Sequence, residues 1–200
     1  HQLDKNHYQF TISFHHSILD GWSVATMLTE LFQLYFSKLD ETHSLPISIA
    51  PEGGQNMLVS FESKALESKD SREFWQSTID TSEFLRLPKD INYTGPSSIE
   101  PFSLPVPSLL SQKLMDLAKE WRVPIRTLLL AAHIKVLSII SGSNKVTTGI
   151  VGNNRPESED SDRLLGLFLS NLPLVAEVSN LDAKSFTQEV YQLELKMYEH

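Results

Sequence analysis

The sequence predicts an α/β fold of layered strands and helices, and two hydrophobic patterns predict it. Residues 7–14 alternate between polar and apolar side chains, which is the period of two of a half-buried strand. Six longer segments place apolar residues at the i, i+3 and i+4 spacing of a helix, and β-branched segments over 145–151 and 172–178 lie between them. Strands that alternate with paired helices indicate a layered α/β architecture.

The first half of the chain is predicted to be mostly helical after its opening strand. The helical pattern begins after Gly21 and reaches Leu39, and either Asp20 or Ser23 can cap it. The other predicted elements are a loop over 40–54, helices over about 56–68 and 71–80, the second capped by Ser71, and a proline-rich linker over 88–107 with an edge-type strand at about 99–106.

The second half is more regular. Ser108 is predicted to cap one helix, and Pro124 to lie in the first turn of another that Gly142 ends. The remaining predicted elements are the strand at 145–151, a glycine-, asparagine- and acid-rich loop over 152–162, the strand at 172–178 and a final helix capped by Asp182.

Composition excludes several classes of function. The formal net charge of -8 argues against nucleic acid or an anionic membrane as the main partner. The absence of cysteine excludes disulfides, a thiolate nucleophile and thiolate metal ligands. The longest apolar run, 127–140, is interrupted by His133 and Lys135 and is too short to span a bilayer, and the opening residues do not have the pattern of a signal peptide. A cytoplasmic protein is expected.

One stretch, 14–23 (FHHSILDGWS), combines titratable side chains with a change from strand to helix pattern. Strand parity puts His15 on the polar face and His16 on the apolar face with Phe14, so His16 is expected to point inward, into a core or a cleft. Three interpretations of His15, His16 and Asp20 are open: a hydrogen-bonded structural histidine beside a turn aspartate, a metal site, and acid–base chemistry by His16. Adjacent histidines on opposite faces with no identifiable third ligand disfavour the metal.

This stretch resembles a known signature. HHSILDG at 15–21 fits the H-H-x-x-x-D-G motif of nonribosomal peptide synthetase condensation domains, and the flanking Phe14, Trp22 and Ser23 also look like that family. Four later segments are similar to family segments in the same order: SREFW at 71–75, the long helix from 123 to 137, GIVGNNRP at 149–156 and GLFLSNLP at 166–173. The resemblance covers nearly the whole chain.

The resemblance implies a fold and a domain organisation. Complete condensation domains have a chloramphenicol-acetyltransferase-like fold of two lobes facing each other across a tunnel, and they are more than twice this long. Residues 1–86 are then expected to be the C-terminal part of the first lobe, with the histidine motif and connecting helices, and residues 87–200 a second lobe truncated at its C-terminus. The missing flanking parts would supply the neighbours that the opening strand needs.

The resemblance also implies a reaction. Two carrier proteins would present a donor acyl or peptidyl thioester and an acceptor aminoacyl thioester on phosphopantetheine arms, and the acceptor amine would attack the donor to form an amide. Donor and acceptor carrier (thiolation) domains and an adjacent adenylation domain are the implied partners, with no nucleic acid or membrane. No intrinsically bound cofactor and no metal are implied, since the carriers deliver the phosphopantetheine.

Site residues follow from the family motif. His16 is the implied general base or positioning group, and the amide of Gly21 can face the thioester oxygen, although Gly21 can equally be a simple turn glycine. His15, Asp20 and Arg155 are structural at the site, with Arg155 the candidate salt-bridge partner of Asp20. The implied substrate tunnel includes three side chains, Trp22, Ser170 and Asn171, and for Trp22 a place in the core is the more common alternative.

One departure from the family pattern concerns the tunnel. The family usually carries Asn in G-x-F-x-N, where this chain has Ser170 followed by Asn171, and strand parity sends Asn171 to the other face. His15 argues against a heterocyclisation domain, and the Trp22-Ser23 pair looks like the condensing rather than the epimerising type. A stand-alone coenzyme A-dependent acyltransferase of the same fold and a degenerate recruitment domain remain alternatives.

Overall fold

The computed structural model describes residues 1–39, 54–86, 88, 101–157 and 160–200. Helices dominate these ranges, and two strands and a single 3-10 turn accompany them. The elements in chain order are α1 (Gly21–Leu39), α2 (Gly54–Glu67), α3 (Lys69–Thr81), α4 (Ser108–Trp121), α5 (Ile125–Ser141), β1 (Lys145–Asn153), the 3-10 turn Ser161–Arg163, β2 (Leu169–Glu177) and α6 (Ala183–Glu199).

The two strands form one antiparallel pair. Flanking hydrogen bonds set the register: the amide of Val178 donates to the carbonyl of Asn144 at 2.6 Å, and the amide of Asn154 to that of Phe168 at 2.7 Å. Along β2 the even-numbered residues from 170 to 176 are half-buried or buried, whereas Leu169 and Asn171 at its start are exposed. The strand therefore turns one face inward, with the parity that the sequence predicts.

The chain divides into two compact units, His1–Glu67 with Val151–Asn171, and Ser68–Ile150 with Leu172–His200. The larger apolar core belongs to the second unit. There α5 packs between α4 and α6, and the core cluster includes Ile134, Val146 and Val190, all with no exposed surface. The lobe boundary expected near residue 86 concerns a complete domain and stays a prediction.

Most predicted elements form, with small changes at their caps. Asp182 caps α6 by accepting from the amides of Lys184 and Ser185, and Gly142 ends α5 in the left-handed conformation with φ 70°, both as predicted. The predicted caps are wrong by three residues at α3 and by one residue at α4. Ser68, not Ser71, caps α3, and the N-cap of α4 is Pro107 rather than Ser108.

The opening strand prediction is wrong for this chain. Between residues 7 and 14 the backbone forms one isolated antiparallel bridge, Gln2 with Tyr8, and these residues are exposed. A strand needs a neighbour to bond its amides and carbonyls, and the described residues provide none here. The edge-type strand is also absent over 101–106; its first part, like the loop over 40–53, lies outside the described residues.

Two further expectations are corrected by burial. Trp22 is not a core residue, since its side chain is 60% exposed. His133, expected as a core histidine, is exposed on α5, and its Nε2 lies 3.3 Å from the hydroxyl of Thr148.

No single helix in the described ranges has the length and hydropathy of a membrane span; α4 and α5 satisfy both criteria only as a pair, bent by 102°.

Candidate functional site

The motif histidines lie in a tight turn that precedes α1. The amide of Ile18 donates to the carbonyl of His15 at 3.1 Å, and His15 Nδ1 lies 2.6 Å from the hydroxyl of Ser17. His15 is therefore engaged within the turn. The ring of His16 is exposed, 6.2 Å from the ring of Phe14 in an edge arrangement, and hydrogen-bonds to none of the described residues.

The expected inward orientation of His16 is thus corrected, because the parity argument presumed a strand that does not form here. An exposed imidazole without a hydrogen bond to the described residues keeps both ring nitrogens available to a substrate. The catalytic role of His16 stays a prediction.

Asp20 is the opposite of His16 in its surroundings. Its side chain is only 2% exposed and caps α1: Oδ1 accepts from the amide of Ser23 at 2.7 Å. Its Oδ2 accepts from the amide of Phe168 at 3.1 Å, and its own amide donates to the carbonyl of Gly166 at 3.0 Å. One residue therefore caps a helix and binds the chain that leads into β2.

Arg155 faces the same carboxylate. Its Nη2 lies 3.4 Å from both Asp20 oxygens, and the two side chains are 8% and 2% exposed. The structure thus brings together the two residues that the sequence suggested as an ion pair. Because both amide contacts to Asp20 are shorter than the guanidinium contact, the backbone donors contribute at least as much to holding the carboxylate as the opposite charge does.

The guanidinium of Arg155 has further partners that explain its fixed position. Its Nη1 donates to the carbonyls of Ser161 at 3.0 Å and Leu164 at 2.5 Å. The ring of Phe168 lies beneath it, with the guanidinium carbon 4.1 Å from the ring centroid, which is a cation–π geometry. Arg155 therefore organises the 161–164 turn as well as the motif.

Electrostatics keep Asp20 ionised. Burial alone would raise the pKa of Asp20, but hydrogen bonds from the amides of Ser23 and Phe168, together with the charge of Arg155, outweigh it and hold the pKa below its ordinary value. A carboxylate held as an anion by fixed donors is poorly suited to exchanging protons near neutral pH. Its place in the structure is that of a brace.

Gly21 begins α1, and neither its backbone conformation nor its surroundings in the described residues require a glycine there. A Cβ built at Gly21 meets nothing within 4 Å, and its φ is not in the left-handed region. Its amide hydrogen-bonds to no acceptor among the described residues, as expected for the first position of a helix. The turn-glycine interpretation therefore loses its support, and an N–H donor remains open at the motif.

The predicted tunnel residues lie in different surroundings. The exposed indole of Trp22 donates from Nε1 to the carbonyl of Asp162 at 2.6 Å, which ties α1 to the 3-10 turn. Ser170 is half-buried, and its hydroxyl is a buried polar atom without a hydrogen-bond partner in the described structure, whereas Asn171 is exposed. Asn171 thus lies on the opposite face of β2 from Ser170, in agreement with strand parity.

Sequence reasoning missed the role of Ser23 and Gly166 in this network. The sequence predicts Ser23 as an alternative cap and as a flanking residue of the motif, without any contact to Gly166, yet it has no exposed surface and its hydroxyl contacts Gly166. Its spacing of three residues from Asp20, on one helix face, was the available signal. No group of three or more His, Cys, Asp or Glu side chains in the described part of the chain is arranged to hold a metal ion.

Comparison with solved structures identifies the class of fold. The chain superposes on the first condensation domain of the calcium-dependent antibiotic synthetase, a complex with a substrate analogue, with a TM-score of 0.71. At 18% identity, the likeness covers 93% of this chain and 43% of that one. The expected condensation-domain fold is confirmed, and the chain corresponds to less than half of such a domain.

Comparison of sequences gives the family. The model of the Condensation domain matches residues 1–200, and the chain belongs to that family. It is 35% identical over 196 residues to the AMB antimetabolite synthetase AmbE of Pseudomonas aeruginosa, and 28% identical over 180 residues to gramicidin S synthase 2 of Brevibacillus brevis. These alignments cover 96% and 86% of this chain but only 9% and 4% of the relatives. The predicted family is confirmed, and peptide synthetases as relatives are consistent with the predicted peptide-bond formation.

Proposed function

We propose that the protein containing this chain forms an amide bond between a donor acyl or peptidyl thioester and an acceptor aminoacyl thioester. Both are carried on phosphopantetheine arms of carrier domains, in cytoplasmic nonribosomal peptide or hybrid peptide–polyketide synthesis, with an adenylation domain nearby. The observation that carries this proposal is the motif turn itself. Asp20 is buried and braced, while the ring of His16, four residues earlier, is exposed and hydrogen-bonds to none of the described residues.

The reaction makes one C–N bond and breaks one C–S bond. The acceptor amine attacks the thioester carbon, and His16 accepts a proton from the nitrogen or holds the nitrogen in line for attack. Negative charge develops on the thioester oxygen, where the free amide of Gly21 can donate a hydrogen bond. The sulfur of the arm leaves as a thiolate with the electron pair and takes up a proton to become the free thiol.

The rest of the domain would complete the site. Residues 8–14 expose aromatic and aliphatic side chains, and so does the later part of α1. The ring centroid of Phe10, in the first of these segments, lies 6.1 Å from that of Phe32 in α1. Such a surface is unusual for a finished fold. The exposed surface and the 43% coverage of a solved condensation domain both support the same inference: other segments of the complete domain pair with residues 8–14 and cover these side chains.

Replacement of His16 tests the proposal. In a protein carrying the complete domain, His16→Ala should abolish transfer from a loaded donor carrier to a loaded acceptor carrier, because the only histidine ring available at the turn is removed. Product on the acceptor carrier is measured by intact-protein mass spectrometry. His7→Ala is the matched control, since His7 is an exposed histidine in the same segment that pairs with Asp4 at 2.7 Å, and it should retain full activity.

Undiminished amide formation by His16→Ala would contradict the catalytic role. The same assay with an acyl-coenzyme A in place of the loaded donor carrier tests the alternative of a coenzyme A-dependent acyltransferase. If transfer from coenzyme A is as fast as transfer from the carrier, the donor is a free thioester and not a carrier-bound one.

A further inference from the structure

Ser23 makes an unusual set of contacts for a helix serine. It lies in the first turn of α1 with no exposed surface. Its Oγ donates to the carbonyl of Gly166 at 2.8 Å and accepts from the amide of Gly166 at 3.1 Å, and Arg155 Nη2 lies 3.3 Å away. A hydroxyl has one hydrogen to donate and two lone pairs to accept with, so the capacity of this one is fully used.

Contact with both backbone groups of one residue fixes that residue in register. A side chain that bonded the carbonyl alone would leave Gly166 free to rotate, whereas bonds to its carbonyl and its amide together hold the peptide in position and orientation. Asp20 extends the pattern to the next-but-one residue, because its Oδ2 accepts from the amide of Phe168. Two side chains three residues apart, Asp20 at the cap of α1 and Ser23 in its first turn, thus imitate the edge of a strand.

The chain beyond this contact leads directly into β2. Ser170, with its buried and unpartnered hydroxyl, lies two residues after Phe168. Two further contacts fix the ring of Phe168. A Cβ at Gly166 would lie 3.0 Å from this ring, and the guanidinium of Arg155 packs on it. Small displacements at Gly166 therefore carry over to Phe168 and to the start of β2.

We propose that Ser23 is a positioning residue for the amide-forming reaction: its hydroxyl aligns the Gly166–Ser170 segment with the His15–Asp20 turn. This inference rests on the proposed function and adds a residue to its machinery. Ser23 touches no substrate in this role. It acts on the start of β2 through Gly166. It acts on the turn that carries His16 through Gly166 and Arg155, which both also contact Asp20.

The test compares Ser23→Ala with Ser37→Ala in the protein carrying the complete domain. Ser37 is the matched control, because it lies on the same helix and its hydroxyl donates only to the carbonyl of Leu34, at 2.9 Å. For Ser23→Ala the kcat of amide formation should fall at least about tenfold, since misplacement of reacting groups costs up to about a hundredfold, with KM for the loaded acceptor carrier within about twofold. Ser37→Ala should leave both constants unchanged.

A second readout separates positioning from loss of stability. With histidine rings labelled in 13C, the His16 ring signal should move in Ser23→Ala and stay in place in Ser37→Ala. If Ser23→Ala does not fold, Ser23→Cys keeps one heavy atom on Cβ, and its larger thiol forms only weak hydrogen bonds, so the same shifts are expected. An unchanged kcat, or an unmoved His16 signal in a folded Ser23 variant, overturns the proposal.

The outcome also distinguishes this inference from the function it rests on. A wild-type protein that forms no amide with loaded carriers contradicts the proposed function. Movement of the His16 signal in Ser23→Ala would still support the alignment of the two segments by Ser23, because that measurement needs no turnover.

Discussion

Asp20 shows how a single buried carboxylate can order several chain segments at once. It receives two backbone amides and faces one guanidinium, and its own amide reaches Gly166. Breaking such a set leaves several buried donors unsatisfied, which costs more than the ion pair alone contributes. Arg155 is likewise held by several contacts. In addition to Asp20, two backbone carbonyls and an aromatic ring fix its position.

The depressed pKa of Asp20 predicts a pH dependence of stability. In the folded protein this carboxyl stays ionised at a pH where the unfolded chain, with an aspartate pKa of about 3.9, already binds a proton. Its contribution is therefore complete above the unfolded pKa and is lost as the pH falls through the lower folded pKa. Asp20→Asn should reduce the free energy of unfolding at pH 7 by about 2 kcal/mol, and the difference from wild type should shrink below about pH 4.

Urea denaturation from pH 3 to pH 7, followed by circular dichroism, measures this difference. Asp80→Asn, on an exposed position of α3, is the control and should follow wild type throughout. A constant difference between wild type and Asp20→Asn across that range would contradict an ionised, stabilising Asp20.

At the scale of elements, the start of α1 offers a separation of stability from activity. Gly21→Ala introduces a Cβ into open space at the first position of a helix, so the free energy of unfolding should stay constant or rise by up to about 0.5 kcal/mol. Amide formation should nevertheless fall, because a methyl group would crowd a thioester that approaches the amide of Gly21. Gly149→Ala, also into open space but on β1, is the control, and equal activity of both variants would argue against close approach at Gly21.

How far the sequence predicts the elements depends on where their stabilising partners lie. The end of α5 and the start of α6 follow from local signals, a left-handed Gly142 and an Asp182 cap, and the sequence predicts both of these residues. The strand at 7–14 has equally clear alternation, but a strand depends on a neighbour that alternation does not specify. The Asp20–Arg155 contact joins residues 135 positions apart, and only the family resemblance suggested it. The three contacts of Ser23 were beyond reach for the same reason.

At the scale of the whole molecule, the exposed apolar surface predicts how these 200 residues behave alone. Tyr8, Phe10, Phe36 and Leu39 are each between 58% and 70% exposed. We expect the isolated chain to be inactive and marginally stable, because the side chains that a complete condensation domain would cover face water. Two measurements compare the isolated chain with the complete domain. One is the binding of an environment-sensitive apolar dye, and the other is amide formation with loaded carriers. Robust condensation by the isolated chain would refute the two-lobe proposal.

The close approach of Gly166 to the ring of Phe168 also has a consequence for sequence drift. A side chain at residue 166 fits only when residue 168 has a smaller side chain than phenylalanine. A smaller residue 168, however, loses the ring on which Arg155 packs. The two positions are therefore expected to evolve as a linked pair. Gly166→Ala should be partly compensated by Phe168→Leu, so that the double variant is more stable than the sum of the two single losses predicts.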